Sequence, residues 1–296
     1  MLVKRAVSLI FIVLSLSCNR NESASRAAEE APIIYHTWHF LKERKYGEPV
    51  NPPPREIPPP EFFPWAGIVS HHLLAHDYID SWFSRLAKMR DVSCFYILCP
   101  SHWGLSTEPY SLTDGSWISG FGIVDSNLKS VRKLEKSLNV GLDKRVFDVE
   151  HGASTLMPYI KKYFPKASAV VIAYEGEPPV NVPKSVKLAD ALESFFDKKG
   201  KRKNFLLIST DFSHHGNLEL TEKRDNNSLA YLKNPSTVSW NMAGCDNKPA
   251  IFILDRLGKS NLESFILYHT NSWKISNEWE HDVTSYFFVY FGDQKL

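Results

Sequence analysis

Three apolar runs of the sequence each end in histidine. They are GIVSHH (67–72), FYILCPSH (95–102) and LLISTDFSHH (206–215). Apolar runs of this length with polar ends are typical of buried strands in a parallel sheet. In open α/β sheets, ligands bind beyond the carboxyl ends of the strands. The sequence therefore predicts that three imidazoles meet at one edge of a sheet: His71 or His72, His102, and His214 or His215.

Helical patterns separate the apolar runs and set the fold class. Amphipathic stretches at 73–89, 130–137 and 185–196 alternate with further runs such as SAVVIAYE (168–175) and KNFLLIST (203–210). This alternation predicts an α/β domain with a central, mostly parallel sheet flanked by helices. Two more apolar runs, at 263–270 and 284–292, predict an antiparallel pair of strands that closes the sheet. We expect one domain over residues 66–292.

The first 65 residues are different in kind. Residues 1–18, MLVKRAVSLIFIVLSLSC, carry two basic residues, an apolar run, and a cysteine after a small residue. This order is typical of a bacterial lipoprotein signal peptide, in which Cys18 becomes the lipidated first residue. Residues 19–32 then form a polar tether and 33–65 an extended Pro-rich arm. We expect an exported protein anchored to the membrane by lipid, in the bacterial periplasm or at the cell surface; an ordinary cleaved signal or an uncleaved anchor is the alternative.

Charge and cysteine content limit the partners. The 35 basic and 33 acidic side chains are interspersed, so no basic surface for nucleic acid is expected, and a small-molecule or peptide ligand is favoured. Cys94 and Cys99 lie five positions apart on one predicted strand, roughly 16 Å and too far for a disulfide. At least one thiol of Cys94, Cys99 and Cys245 is therefore free, and we expect the first two in the core. Nothing in the sequence specifies an oligomeric state.

Six motifs together carry a resemblance to a known family. In order they are IVSHH (68–72), LCPSHWG (98–104), VEHGAS (149–154), STDFSHHG (209–216), GCDNKPAIFIL (244–254) and the closing pair LYHTNS (267–272) and DVTSYFFVYF (282–291). Their order and spacing resemble the Memo family over nearly the whole domain. That family is similar to the class III extradiol dioxygenases, ring-opening enzymes that use non-haem iron.

The resemblance implies a metal site. By motif, the ligand positions fall on His71, His102 and Cys245. Two neutral imidazoles and a thiolate suit a transition metal, iron or copper, with zinc as a further choice. The dioxygenases have a carboxylate where this chain has the cysteine.

The resemblance also implies roles around the metal. His214 matches the acid/base histidine, and Asp211 is placed to orient an imidazole by accepting its other N–H. Three further residues are expected to line the same cleft: His72, Glu150 and His151.

The chain also departs from the family's pattern. It has Ser70-His71-His72-Leu73 in place of Pro-His-Ala-Gly, Asp246 in place of the glycine after the cysteine, and Ser213 in place of cysteine. These changes keep the implied ligands and alter the pocket. His72 and His76 also form an i, i+4 pair; a second metal site there is weighed against pocket-lining or solvent-facing histidines, since the glutamate of HExxH is missing.

The sequence thus predicts a lipid-anchored, Memo-like, metal-dependent oxidoreductase. Two alternatives stay open: a non-catalytic module that handles copper or iron, and a metal-free protein that binds a ligand or peptide in the same cleft. An acid/base histidine beside the metal distinguishes the enzyme from a carrier.

Overall fold

The computed structural model describes residues 33–37, 57–175, 181–278 and 280–294. The fold is that of the compact unit Pro32–Leu296. The predicted signal peptide, the tether and most of the Pro-rich arm lie outside the described residues, so the lipid anchor and the export of the protein stay predictions. Within the described ranges, every helix is too short or too polar to cross a membrane.

Ten strands and ten α-helices, together with three short 3-10 helices, make up the described fold. The strands are β1 Ile34–His36, β2 Pro64–Val69, β3 Cys94–Pro100, β4 Tyr110–Leu112, β5 Ser116–Ser119, β6 Gly122–Val124, β7 Ser168–Tyr174, β8 Asn204–Ser209, β9 Leu262–Asn271 and β10 Ser285–Asp293. The helices are α1 His76–Met89, α2 Leu128–Leu138, α3 Lys144–Val149, α4 His151–Ser154, α5 Met157–Tyr163, α6 Val182–Glu193, α7 Gly200–Lys203, α8 Leu218–Lys233, α9 Lys248–Gly258 and α10 Ser272–Ser276.

Seven of the strands form one sheet in the order β4-β7-β3-β8-β2-β10-β9. The four central strands β7, β3, β8 and β2 run parallel. At the two sides the pairing is antiparallel, β4 with β7 on one side, and β10 with β2 and β9 with β10 on the other. The predicted α/β fold is confirmed, with a parallel centre and antiparallel flanks. A second, three-stranded sheet has the order β1-β5-β6, so the predicted arm contributes a strand.

Alternate residues of the central strands enter two separate cores. On β3, Phe95 and Ile97 face one core together with Trp82 of α1, while Tyr96 and Leu98 face the other. Helices α1 and α5 cover the first face, and α2, α6, α8 and α9 supply apolar side chains to the second. Burial on both faces explains why these strands are continuous apolar runs, as expected for a parallel sheet. Cys94 and Cys99 are buried and free, as predicted.

Strand β2, the first of the three apolar runs that end in histidine, requires glycine at position 67. A Cβ on Gly67 of β2 would lie 2.5 Å from Trp82 Cζ2 and 2.8 Å from Val289 O. Both atoms are fixed, one by the packed face of α1 and one by the β10 backbone. Glycine therefore lets α1 and β10 close on β2, which holds the following SHH segment against the sheet.

Candidate metal centre

The site lies at the carboxyl ends of three adjacent parallel strands. His71 follows the last residue of β2 by two positions, His102 follows β3 by two, and Asp211 follows β8 by two. Because β3, β8 and β2 are neighbours in the sheet, the three side chains emerge side by side. The ring centroids of His71 and His102 are 5.0 Å apart. The convergence expected from the strand exits is thus present for these two imidazoles.

The carboxylate of Asp246 occupies the middle of the site. Its Oδ2 lies 3.5 Å from His71 Nε2, 3.7 Å from His102 Nε2 and 3.9 Å from His214 Nε2. These separations are too long for hydrogen bonds, and Oδ2 is buried with no hydrogen-bond partner. Ligand atoms that share one ion through bonds of about 2.0–2.2 Å lie roughly 3–3.5 Å apart. The distance from Asp246 to His71 is at the upper end of this range, and the distances to His102 and His214 exceed it by 0.2–0.4 Å, so a cation shared by all of them would require small side-chain shifts.

The other oxygen of Asp246 is held by the segment that follows β8. Oδ1 accepts a hydrogen bond from Thr210 Oγ1 at 2.5 Å and from the backbone N–H of Asp211 at 3.1 Å. These two bonds orient the carboxylate, so Oδ2 is turned toward the imidazoles.

His71 is buried and uncharged. Burial lowers its pKa well below the usual value, and the neighbouring imidazoles of His151 and His102 lower it further. Its Nδ1 lies 3.0 Å from Ser209 Oγ. A neutral imidazole with its other nitrogen engaged is the form that binds a metal.

His102 is held by a buried carboxylate. Glu150 Oε1 lies 2.7 Å from His102 Nδ1, and Oε2 accepts the backbone N–H of His102 at 2.8 Å. Burial acts to lower the pKa of His102, but the carboxylates of Asp246 and Glu150 outweigh it and raise the pKa to about 10. In turn, His102 lowers the pKa of Glu150 against the opposing effect of burial. A metal ion bound at Nε2 would replace the proton that His102 holds.

Asp211 lies beside the ligand atom of His71. Its Oδ1 accepts a hydrogen bond from Ser70 Oγ at 2.5 Å, and its Oδ2 is 3.7 Å from His71 Nε2. Burial, and then the charge of Asp246, raise the pKa of Asp211 well above its usual range. The predicted role of Asp211, orientation of an imidazole through its outer nitrogen, stays a prediction; its carboxylate also lies within 4.8 Å of ligand atoms of His71 and Asp246.

His214 and His215 point in different directions, as expected for neighbours in a tight loop. His214 is half-buried and faces Asp246. His215 has a positive φ of 52°, and its side chain is 83% exposed and paired with Asp282 at 3.0 Å. Of the two, only His214 faces Asp246, and its acid/base role stays a prediction.

His151 contacts the ring of His102, and His72 contacts Tyr286; that both residues line a cleft stays a prediction. The His151 ring stacks on His102 with centroids 4.2 Å apart, and burial, followed by the charge of His102, lowers its pKa to about 4. His72 Nδ1 lies 2.5 Å from the hydroxyl of Tyr286, a fully buried residue of β10. His76 instead pairs with Asp77 at 2.9 Å.

Two groups of donors in the described part of the chain have ligand atoms within 4.8 Å of one another. One is His71, His102 and His151, and the other is His71, Asp211 and Asp246. Cys245 belongs to neither. Burial, with the neighbouring Asp246 charge, raises the pKa of its thiol to about 12. Ligation by Cys245 stays a prediction from the family resemblance.

Sequence reasoning missed three residues of this site: Asp246, Ser209 and Tyr286. The sequence did mark Asp246 as unusual, because this residue replaces the glycine of the family pattern next to the implied cysteine ligand. Ser209 lies within an apolar strand run, and Tyr286 within a run of aromatic residues. Neither residue stands out from its neighbours in the sequence.

The match to a family model decides the relationship. The model of Memo-like proteins matches residues 69–278, more than two thirds of the chain, and this range contains every donor described above. The chain belongs to the Memo family.

Curated Memo relatives are distant. A MEMO1 family protein of Caldivirga maquilingensis is 25% identical over 165 residues, 55% of each chain. One of Pyrobaculum aerophilum is 23% identical over 156 residues, 52% of this chain and 54% of the relative. One of Saccharolobus islandicus is 24% identical over 207 residues, 66% of this chain and 71% of the relative. This Memo protein thus spans about half the length of the first two relatives.

A solved structure shares the fold. The uncharacterized protein JW3007 of Escherichia coli K12 superposes with a TM-score of 0.52 at 12% identity, covering 77% of this chain and 98% of that one. At this identity the likeness concerns the fold alone.

Proposed function

We propose that this Memo protein binds one transition metal ion through His71, His102 and Asp246 and acts as a metal-dependent oxidoreductase of the dioxygenase type. The metal site is supported by the environment of Asp246 Oδ2. This atom is buried without a hydrogen-bond partner and faces three imidazole nitrogens at 3.5–3.9 Å. Burying a carboxylate oxygen that accepts no hydrogen bond is costly. A cation at this point supplies the partner.

The donor set favours ferrous iron. Two histidines and one carboxylate with open positions are the ligands of non-haem iron oxygenases, whereas calcium and magnesium prefer oxygen donors. Copper and zinc also accept imidazole. Ferrous iron bound here would supply the redox chemistry with molecular oxygen. His151 and Asp211 lie close enough to serve as further donors.

The remaining chemistry falls to His214. Its Nε2 lies 3.9 Å from Asp246 Oδ2, so this nitrogen can hold or release a proton beside the metal. A protein that only carries metal does not need this group. This position favours the oxidoreductase over the alternative of a non-catalytic iron or copper module.

Metal content tests the site. Wild type, Asp246→Asn and the control His215→Ala are loaded with ferrous iron under anaerobic conditions, and iron per chain and affinity are measured. We expect Asp246→Asn to lose on the order of 100-fold in affinity, since loss of an outer partner alone costs about 10–100-fold. His215→Ala should match wild type because that side chain is exposed and paired with Asp282. Equal iron affinity in all three proteins would show that Asp246 does not bind the metal.

Oxygen uptake tests the reaction class with the same iron-loaded proteins and a panel of dihydroxyaromatic probes. His214→Ala should keep its iron and lose about 10²–10⁴-fold in rate. Iron-loaded wild type that takes up no oxygen with any probe would support the metal-handling alternative instead.

A further inference from the structure

Two hydrogen bonds determine which ring nitrogen carries a proton in the proposed ligands, one between Glu150 and His102 and one between Ser209 and His71. The carboxylate of Glu150 only accepts hydrogen bonds, so the 2.7 Å contact with His102 Nδ1 requires a proton on that nitrogen. Nε2 of the same ring is then the atom that faces Asp246 Oδ2. Glu150 therefore selects which nitrogen of His102 can bind a metal.

Ser209 determines which nitrogen of His71 carries a proton, and the reason involves a second hydrogen bond. The hydroxyl of Ser209 donates its only proton to the backbone carbonyl of Gly152. Its oxygen can therefore only accept from His71 Nδ1, which lies 3.0 Å away. His71 is held with a proton on Nδ1 and a lone pair on Nε2, toward Asp246.

Ser209 and Glu150 both hydrogen-bond to the backbone of Gly152. The carbonyl of Gly152 accepts from Ser209, and its N–H donates to Glu150 Oε1 at 2.7 Å. A Cβ on this residue would lie 3.1 Å from Cys99 Cβ, 3.2 Å from Glu150 Oε1 and 3.3 Å from Pro100 Cδ. Glycine thus allows the turn to press against the end of β3 and to reach both hydrogen-bond partners.

We propose that Glu150, Gly152 and Ser209 form one positioning unit that keeps a proton on Nδ1 of both His71 and His102, so that Nε2 of each ring is the nitrogen left for a metal. They act through the histidines and are positioning residues. Partners that fix the ring orientation and tautomer of a metal-binding histidine typically contribute about 10–100-fold to metal affinity. The consequence for affinity rests on the proposed metal function; the tautomer itself does not.

The first experiment measures the tautomer in the metal-free protein. Side-chain ¹H–¹⁵N correlation NMR of the full chain reports which ring nitrogen of each histidine carries the proton. We expect His71 with the proton on Nδ1 in wild type, a mixture in Ser209→Ala, and recovery in Ser209→Thr, which restores the hydroxyl. Ser185→Ala removes another fully buried serine, one bonded to Tyr174, and should leave His71 unchanged. A proton on Nε2 of His71 in wild type, or an unchanged His71 in Ser209→Ala, would overturn the proposal.

The second experiment measures the effect on metal binding. In a Co²⁺ titration, Ser209→Ala should bind about 10–100-fold more weakly than wild type, and Ser209→Thr and Ser185→Ala should bind as wild type does. Unchanged affinity in Ser209→Ala would contradict the positioning role. If wild type itself binds no Co²⁺, the proposed metal function fails while the tautomer experiment still decides the role of Ser209.

Discussion

Asp246 and Cys245 are neighbours in the chain, and either could supply the anionic ligand of the proposed metal site. The geometry favours Asp246, because its Oδ2 faces the imidazoles while burial raises the pKa of the Cys245 thiol to about 12 and so disfavours the thiolate that a metal needs. We expect Co²⁺-loaded wild type and Cys245→Ser to show the same near-ultraviolet absorption, with no thiolate-to-metal band. A band present in wild type and lost in Cys245→Ser would restore the predicted set of two histidines and a cysteine.

At the residue scale, the sequence was sufficient to predict the positions of candidate donors that directly follow a strand. His71 and His102 lie two positions after apolar runs, so the strand fixes both their place and their direction. Asp246 lies in the loop before α9, and its orientation depends on Thr210 and Asp211, some 35 positions away in the chain. Long-range hydrogen bonds of this kind leave no local pattern, and only the departure from the family's glycine marked the residue.

At the scale of elements, long periodic segments were predictable and short ones were not. The parallel central strands and the closing pair β9 and β10 are apolar runs of six to ten residues, and α1 has a regular apolar face. Strand β4 and the small sheet of β1, β5 and β6 have strands of only three or four residues. A segment that short contains too few alternations to indicate a strand, so tertiary pairing decides its structure.

A hydrogen bond between α8 and α9 gives a prediction about pH. Asp255 of α9 is buried; Tyr231 of α8 donates to its Oδ1 at 2.8 Å, and its Oδ2 has no hydrogen-bond partner. Burial raises its pKa to about 7, against about 3.9 in an unfolded chain. The neutral carboxyl stabilises the folded state below pH ~4, and this contribution is lost as pH rises through about 7.

Asp255→Asn removes that titration and keeps an oxygen for Tyr231. Relative to wild type, we expect its free energy of unfolding to rise between pH ~4 and 7 and to level off above, by on the order of 1–4 kcal/mol. Urea unfolding at a series of pH values measures this. The control Asp190→Asn changes an exposed carboxylate that pairs with Arg256 and should show no comparable slope. Parallel stability curves for wild type and Asp255→Asn would show that Asp255 does not titrate in this range.

At the scale of the whole molecule, the metal should couple the strand ends to global stability. Strands β2, β3 and β8 and the loop before α9 each deliver a donor to one point, and these segments lie far apart in the chain. An ion that binds the folded state alone stabilises it by about 2.7 kcal/mol at 100 times its Kd. For a domain of this size that corresponds to a rise in Tm of about 5–10 °C. Calorimetry with and without ferrous iron should show the rise in wild type and His215→Ala but not in Asp246→Asn. A Tm that stays constant in wild type at high ferrous iron concentration would mean that no ion binds the folded state and would contradict the proposed site.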